Sequence, residues 1–173
     1  MVLATSDGEE WATAGVGRMF SVEEVEARWD WMREVLSALS SMGVAVHQFA
    51  KEYGQGQFEI SLLPDDPLRA VDQFLVTRQT ICALARDRGF VASFMPKPFA
   101  ELPGNGLHLH LSLVYATGND LISGVGRSDL TPLARHAVGG LLAHASAQAA
   151  LAILSPNSYK RFLAVSWAPA HMC

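Results

Sequence analysis

Two groups of residues have types and spacing that could do chemistry. In Gly104-Asn-Gly-Leu-His-Leu-His-Leu-Ser112 a glycine-bracketed turn runs into alternating leucine and histidine. On a strand, His108, His110 and Ser112 would face one way, while Leu107, Leu109, Leu111 and Leu113 would face the core. Two imidazoles separated by one residue can reach one cavity and, with a carboxylate, hold a metal ion. A solvated strand face that happens to carry two histidines is the plainer alternative. Glu52 and Glu59 flank Gly54-Gln55-Gly56 and fall on neighbouring predicted strands, so both can approach one polar face. Carboxylate oxygens with one imidazole suit Mg²⁺ or Mn²⁺ better than structural zinc, for which thiolates would be expected. Ordinary surface carboxylates beside a turn are the alternative for that pair.

The elements that must position these side chains follow from periodicity. Ser21 caps a first helix with Glu24 three residues later, a capping box, and Phe20 and Val25 are placed for a hydrophobic staple. Val22, Val25, Trp29, Met32, Leu36 and Leu39 then form one apolar stripe, ending before Gly43. Residues 44–50 and 57–62 read as two strands of a hairpin, with Phe58, Ile60 and Leu62 on one face and Gln57, Glu59 and Ser61 on the other. Asp65-Asp66-Pro67 starts a second helix through Leu68, Val71, Phe74, Leu75, Ile81 and Leu84, ending at Gly89. Residues 90–95 and 107–115 are predicted strands, and Thr131-Pro132 opens a long helix that Pro156 ends. The alanine and glycine content of that helix predicts close packing on both sides. This order predicts an α+β fold, an antiparallel sheet with helices on one face. Residues 1–19 read as an unpatterned arm and 20–173 as one domain.

Composition narrows the partners. The chain has 173 residues, 50% hydrophobic and 17% charged, which is enough to bury a sizeable core. Its formal charge of -4, without a Lys/Arg block, argues against nucleic acid or an anionic membrane surface. Cys82 and Cys173 make no disulfide framework, and the N-terminus lacks a signal-peptide pattern, so a cytoplasmic location is expected. Residues 137–154 approach the length of a membrane span, but His144, Ser146 and Gln148 interrupt them and a buried helix is expected instead. Trp11, Trp29 and Trp31 read as packing residues, His47 and His136 as surface or cap histidines, and Tyr53 and Gln57 as residues that shape the glutamate-flanked turn.

Four segments resemble successive motifs of the glutamine synthetase catalytic domain, a group that includes the γ-glutamyl-amine ligases. They are Glu52-Tyr-Gly-Gln-Gly-Gln-Phe-Glu59, Phe94-Met-Pro-Lys-Pro98, Gly104-Asn-Gly-Leu-His-Leu-His-Leu-Ser112 and Asn157-Ser-Tyr-Lys-Arg161, and the resemblance runs from about Phe20 to Phe162. It implies an ATP-dependent ligase that joins ammonia or an amine to the γ-carboxylate of glutamate through γ-glutamyl phosphate, using two divalent cations, Mg²⁺ or Mn²⁺. By position, Glu52 and Glu59 match carboxylates holding the cation nearer glutamate, and His108 matches a ligand of the cation at the phosphates. His110 and Ser112 match nucleotide-side positions, Gly104 matches a glycine whose backbone meets glutamate, and Arg161 matches an arginine that neutralises substrate and transferring phosphoryl charge.

The departures shape a further expectation. Before the first helix the family has a strand with two glutamates one residue apart, whereas the acidic pair here is Glu9-Glu10. The chain passes from Phe162 to Ala164-Val-Ser-Trp167, which looks like the strand beyond the family's flap, without an intervening ATP-gripping segment. A partial catalytic domain, truncated at both ends, is therefore expected to be inactive or incomplete alone. It would act within a homo-oligomer or beside a full-length homologue, or be a catalytically silent remnant.

Overall fold

The computed structural model describes residues 1–15, 17, 19–118, 120–124 and 129–162. The expected strand at Ala164 to Trp167 lies outside them. The chain divides into two compact units, residues 1–106 with 160–173, and residues 107–159.

The first unit is a mixed layer of helices and antiparallel strands: β1 (Val2–Ser6), β2 (Trp11–Thr13), α1 (Val22–Ser41), β3 (Val46–Lys51), β4 (Phe58–Leu62), α2 (Pro67–Arg86) and β5 (Val91–Ser93). The α+β expectation holds, but the unpatterned arm is corrected. Residues 2–6 form the central strand of a β2-β1-β5 sheet, with Val2 opposite Ser93 and Ala4 opposite Thr13. Val2, Leu3 and Ala4 are buried, and Leu3 N donates to Gly56 O at 2.8 Å while Phe58 N donates to Met1 O at 2.9 Å. These bonds carry β1 against the start of β4. The segment escaped notice because buried strands need no alternation.

The β3–β4 hairpin forms as expected, with Ala50 opposite Glu59 and Lys51 opposite Phe58. Ser21 caps α1, its hydroxyl accepting from Glu24 N, and Asp66 caps α2 ahead of Pro67. Each helix stops short of a glycine at positive φ, Gly43 and Gly89.

The helix faces differ from expectation. On α1 the buried residues are Glu24, Trp31, Met32, Val35 and Leu39, whereas Trp29 and Val22 are exposed, as is Phe20 of the supposed staple. Trp31 turns the helix: its indole meets Phe49 and Phe58 edge-on at centroid distances of 5.4 and 5.7 Å. Of the three tryptophans expected to pack, Trp11 and Trp29 are exposed and Trp31 alone is buried. On α2 only the second half faces inward, through Thr77, Ile81 and Ala85, and Leu68, Val71 and Leu75 are exposed.

The second unit contains α3 (Pro132–Ala143), α4 (Ala145–Ala152) and α5 (Pro156–Tyr159). Thr131 caps α3 by accepting from Ala134 N at 3.1 Å, but the expected single helix is broken at His144. Close packing on both sides is not found either. Ala134 is the buried residue of α3, and Leu142 and Leu151 are exposed. A Cβ at Gly139 or Gly140 would meet nothing within 4 Å.

The leucine and histidine segment is a second correction. Residues 107–113 form no regular strand, and the neighbouring pairing is a single bridge between Val114 and Asp120. Leu107, Leu109 and Leu111 are exposed, Leu109 at 87%, rather than pointing into a core. Alternation specifies a strand only where a neighbour accepts its hydrogen bonds and covers one face.

Candidate functional site

Glu52 and Glu59 face the same side of the β3–β4 hairpin. Ala50 is directly opposite Glu59, and Glu52 N donates to Gln57 O at 2.8 Å, so Glu52, Gln57 and Glu59 share the face opposite to Lys51 and Phe58. Both carboxylates raise the pKa of one cation, the Met1 ammonium. Burial outweighs them and lowers it from 8.0 to about 6. That amine donates to Phe58 O at 2.9 Å.

The turn between the two glutamates is held by buried polar groups. Lys51, 3% exposed, directs its ammonium at Glu52 O and Gly54 O, both at 2.5 Å, and lies 3.7 Å from Glu24 Oε2. Burial pushes the Lys51 pKa down, against the opposing pull of Glu24. Glu24, also 3% exposed, accepts from Gly56 N through Oε1 at 2.8 Å. The capping box is thus half right: Ser21 caps the helix, while the Glu24 side chain is turned to the hairpin turn instead of back to the cap.

Gln57 links the turn to the Gly104 segment. Its side-chain oxygen accepts from Gly54 N at 2.8 Å, and its amide donates to Gly104 O at 3.0 Å and to Asn105 Oδ1 at 3.1 Å. Asn105 in turn donates to Ser93 O and Met95 O, and its own N–H donates to Pro96 O at 2.8 Å. The Gly104 segment is therefore fastened to the chain just after β5. Gly104 leaves no room for a side chain, since a Cβ would lie 2.5 Å from Pro96 O and 3.1 Å from Arg161 Nε. The first unit thus brings the Arg161 side chain onto the backbone of Gly104.

His108, His110 and Ser112 belong to the second unit and are exposed. Among the described residues no three His, Cys, Asp or Glu groups converge as a metal site would require. The two hairpin carboxylates offer hard oxygen donors of the kind Mg²⁺ and Mn²⁺ prefer.

Lys51, Glu24 and Asn105 were missed by sequence reasoning. A signal existed for Lys51: strand alternation puts it in one row with Phe49, opposite Phe58 and Ile60, where a charge must be paired. Asn105 gave none, because its partners are distant in sequence.

The profile of the glutamine synthetase catalytic domain matches residues 3–173. The chain belongs to the glutamine synthetase family. The type-1 glutamine synthetase 1 of Dictyostelium discoideum is 35% identical over 152 residues, covering 87% of this chain and 30% of that protein. The glutamate–methylamine ligase of Methyloversatilis universalis is 38% identical over 152 residues, covering 83% of this chain and 34% of its own length. The solved structure titled "Apo GmaS without ligand" superposes with a TM-score of 0.85 at 34% identity, over 94% of this chain and 39% of that one. This glutamine synthetase family chain thus spans 30% and 34% of the lengths of those two curated relatives. The match begins within β1, in keeping with that strand's place in the fold. No helix among the described residues is long and apolar enough to cross a membrane.

Proposed function

We propose that the protein contributes to an ATP-dependent ligase that joins ammonia or an amine to the γ-carboxylate of glutamate through γ-glutamyl phosphate. The observation that carries this reading is the shared face of Glu52 and Glu59 across one hairpin, within a glutamine synthetase family match over residues 3–173. In this reading Glu52 and Glu59 hold Mg²⁺ or Mn²⁺ near glutamate, and His108 serves a second cation. His110 and Ser112 lie on the nucleotide side. The cations supply charge neutralisation for phosphoryl transfer from ATP. The Gly104 backbone, fixed by Gln57 and Asn105, meets glutamate, and Arg161 beside it offsets carboxylate and phosphoryl charge. A methylamine ligase among the relatives makes an amine as reasonable an acceptor as ammonia.

A second reading has its own support. With two carboxylates and no third donor gathered among the described residues, the chain alone is catalytically silent and works beside a full-length homologue. Incubation with ATP, Mn²⁺, glutamate and hydroxylamine, with and without a full-length family member, distinguishes the two. γ-Glutamyl hydroxamate from the chain alone, lost in Glu59→Ala, supports the ligase; product unaffected by Glu59→Ala contradicts the site. No product from the chain alone supports the silent reading.

A further inference from the structure

The Glu24–Lys51 pair is an expensive feature for a domain of this size. Two charges with side chains 2% and 1% exposed are removed from water, and Glu24 Oε2 has no hydrogen-bond partner. Such a pair seldom stabilises a fold more than apolar residues of the same volume would. What it does here is local. The Lys51 ammonium bonds the carbonyls of Glu52 and Gly54, and Glu24 Oε1 bonds the N–H of Gly56. Three backbone groups of one short turn are thereby fixed from β3 and α1, and that turn joins Glu52 to the strand bearing Glu59.

The chemistry of the two side chains fits the task. An ammonium is a compact charge that donates to two carbonyls here while its charge faces a carboxylate 3.7 Å away, a task for which a planar guanidinium with a fixed fork of donors is less suited. The surroundings are closed around the carboxylate as well: a Cβ on Gly15 would lie 2.0 Å from Glu24 Oε1 and 2.3 Å from Gly56 N. The absence of a side chain at Gly15 is thus what lets the Glu24 carboxylate reach Gly56 N.

We infer that Lys51 and Glu24 are positioning residues for the cation site, holding the hairpin turn so that the Glu52 and Glu59 carboxylates keep a fixed separation. The inference rests on the proposed role of those carboxylates, and it adds that helix α1 takes part in setting their geometry. A pair that merely fills the core would let stability and metal affinity rise and fall together. A positioning pair separates them.

The test uses the whole chain with Lys51→Met, Glu24→Gln and the double variant. Each single change leaves one buried charge unpaired and lowers the thermal midpoint, and the double variant recovers much of that loss because no charge remains. Mn²⁺ affinity does not recover with it: a loss of about tenfold or more, as for other residues that orient metal ligands, is expected in the double variant too. Amide exchange reads the turn without any metal. The N–H groups of Glu52 and Gln57, bonded to Gln57 O and Gly54 O, should exchange about tenfold faster in Lys51→Met and in the double variant, relative to amides of α2. Unchanged exchange at those two amides, or Mn²⁺ affinity recovering in step with the thermal midpoint, overturns the inference. Glu59→Ala is measured alongside. Mn²⁺ binding insensitive to that change defeats the cation reading, and the exchange data still decide whether the pair holds the turn.

Discussion

Gln57→Leu is the sharpest test of how the site is assembled, because one side chain joins the turn, Gly104 and Asn105. Leucine keeps much of the volume and removes the oxygen that accepts from Gly54 N and the amide that donates to Gly104 O and Asn105 Oδ1. Gln57, Gly54 and Asn105 are buried, so water does not readily replace the lost bonds. Leaving a buried polar group unpaired costs roughly 1–3 kcal/mol. Gly54 N and Asn105 Oδ1 bear most of that penalty and half-buried Gly104 O less, which together gives a loss of about 3 kcal/mol. For a chain of this length that corresponds to a fall of roughly 6–12 °C in thermal midpoint. Urea unfolding of both proteins measures it, with Gln73→Leu as the control. Gln73 also donates to a side chain, that of Asp65, but at an exposed site, so its loss should stay within about 0.5 kcal/mol. A Gln57→Leu loss no larger than the control's would refute the view that Gln57 fastens the turn to Gly104.

Three further outcomes are expected. Phe58→Ala removes a ring 1% exposed that packs edge-on against Trp31 and Phe49, so urea unfolding should show a loss of about 3–5 kcal/mol. Ser21→Ala deletes the α1 cap, whose hydroxyl accepts from Glu24 N at 3.3 Å, and should cost about 1 kcal/mol or less by the same assay. The Met1 amine should titrate near 6 in the folded chain, measured as the pH dependence of its acylation rate, and a value near 8 would contradict its burial. The fold favours the neutral amine, so its stabilising contribution is full above pH 8 and falls as pH is lowered toward 6, where the unfolded chain gains the proton first.

What could be read in the sequence was set by short-range chemistry. Ser21, Asp66 and Thr131 cap helices because side-chain oxygen and exposed N–H groups lie within three residues, and the hairpin follows from two alternating runs about one turn. Faces and partners were harder. Trp29 and Trp31 are both large and apolar, and which one turns inward depends on Phe49 and Phe58 across the core. Residues 107–113 alternate as a core strand does, but alternation cannot supply the neighbour that would pair with them. Glu24 satisfied a local capping rule and is used for a distant turn, a competition that becomes visible only once Lys51 is buried beside it. Glu52 and Glu59 were legible as neighbours because one hairpin separates them, whereas the approach of Arg161 to Gly104, far apart in the chain, had no signal in the sequence.

The central claim is that Glu52 and Glu59 together hold a divalent cation, and calorimetric titration of the chain with Mn²⁺ tests it most directly. Binding at or below millimolar Mn²⁺ is predicted, lost in the Glu52→Ala/Glu59→Ala variant while its thermal midpoint stays within a few degrees. Absence of binding at millimolar Mn²⁺, or the same affinity in the variant, would contradict it.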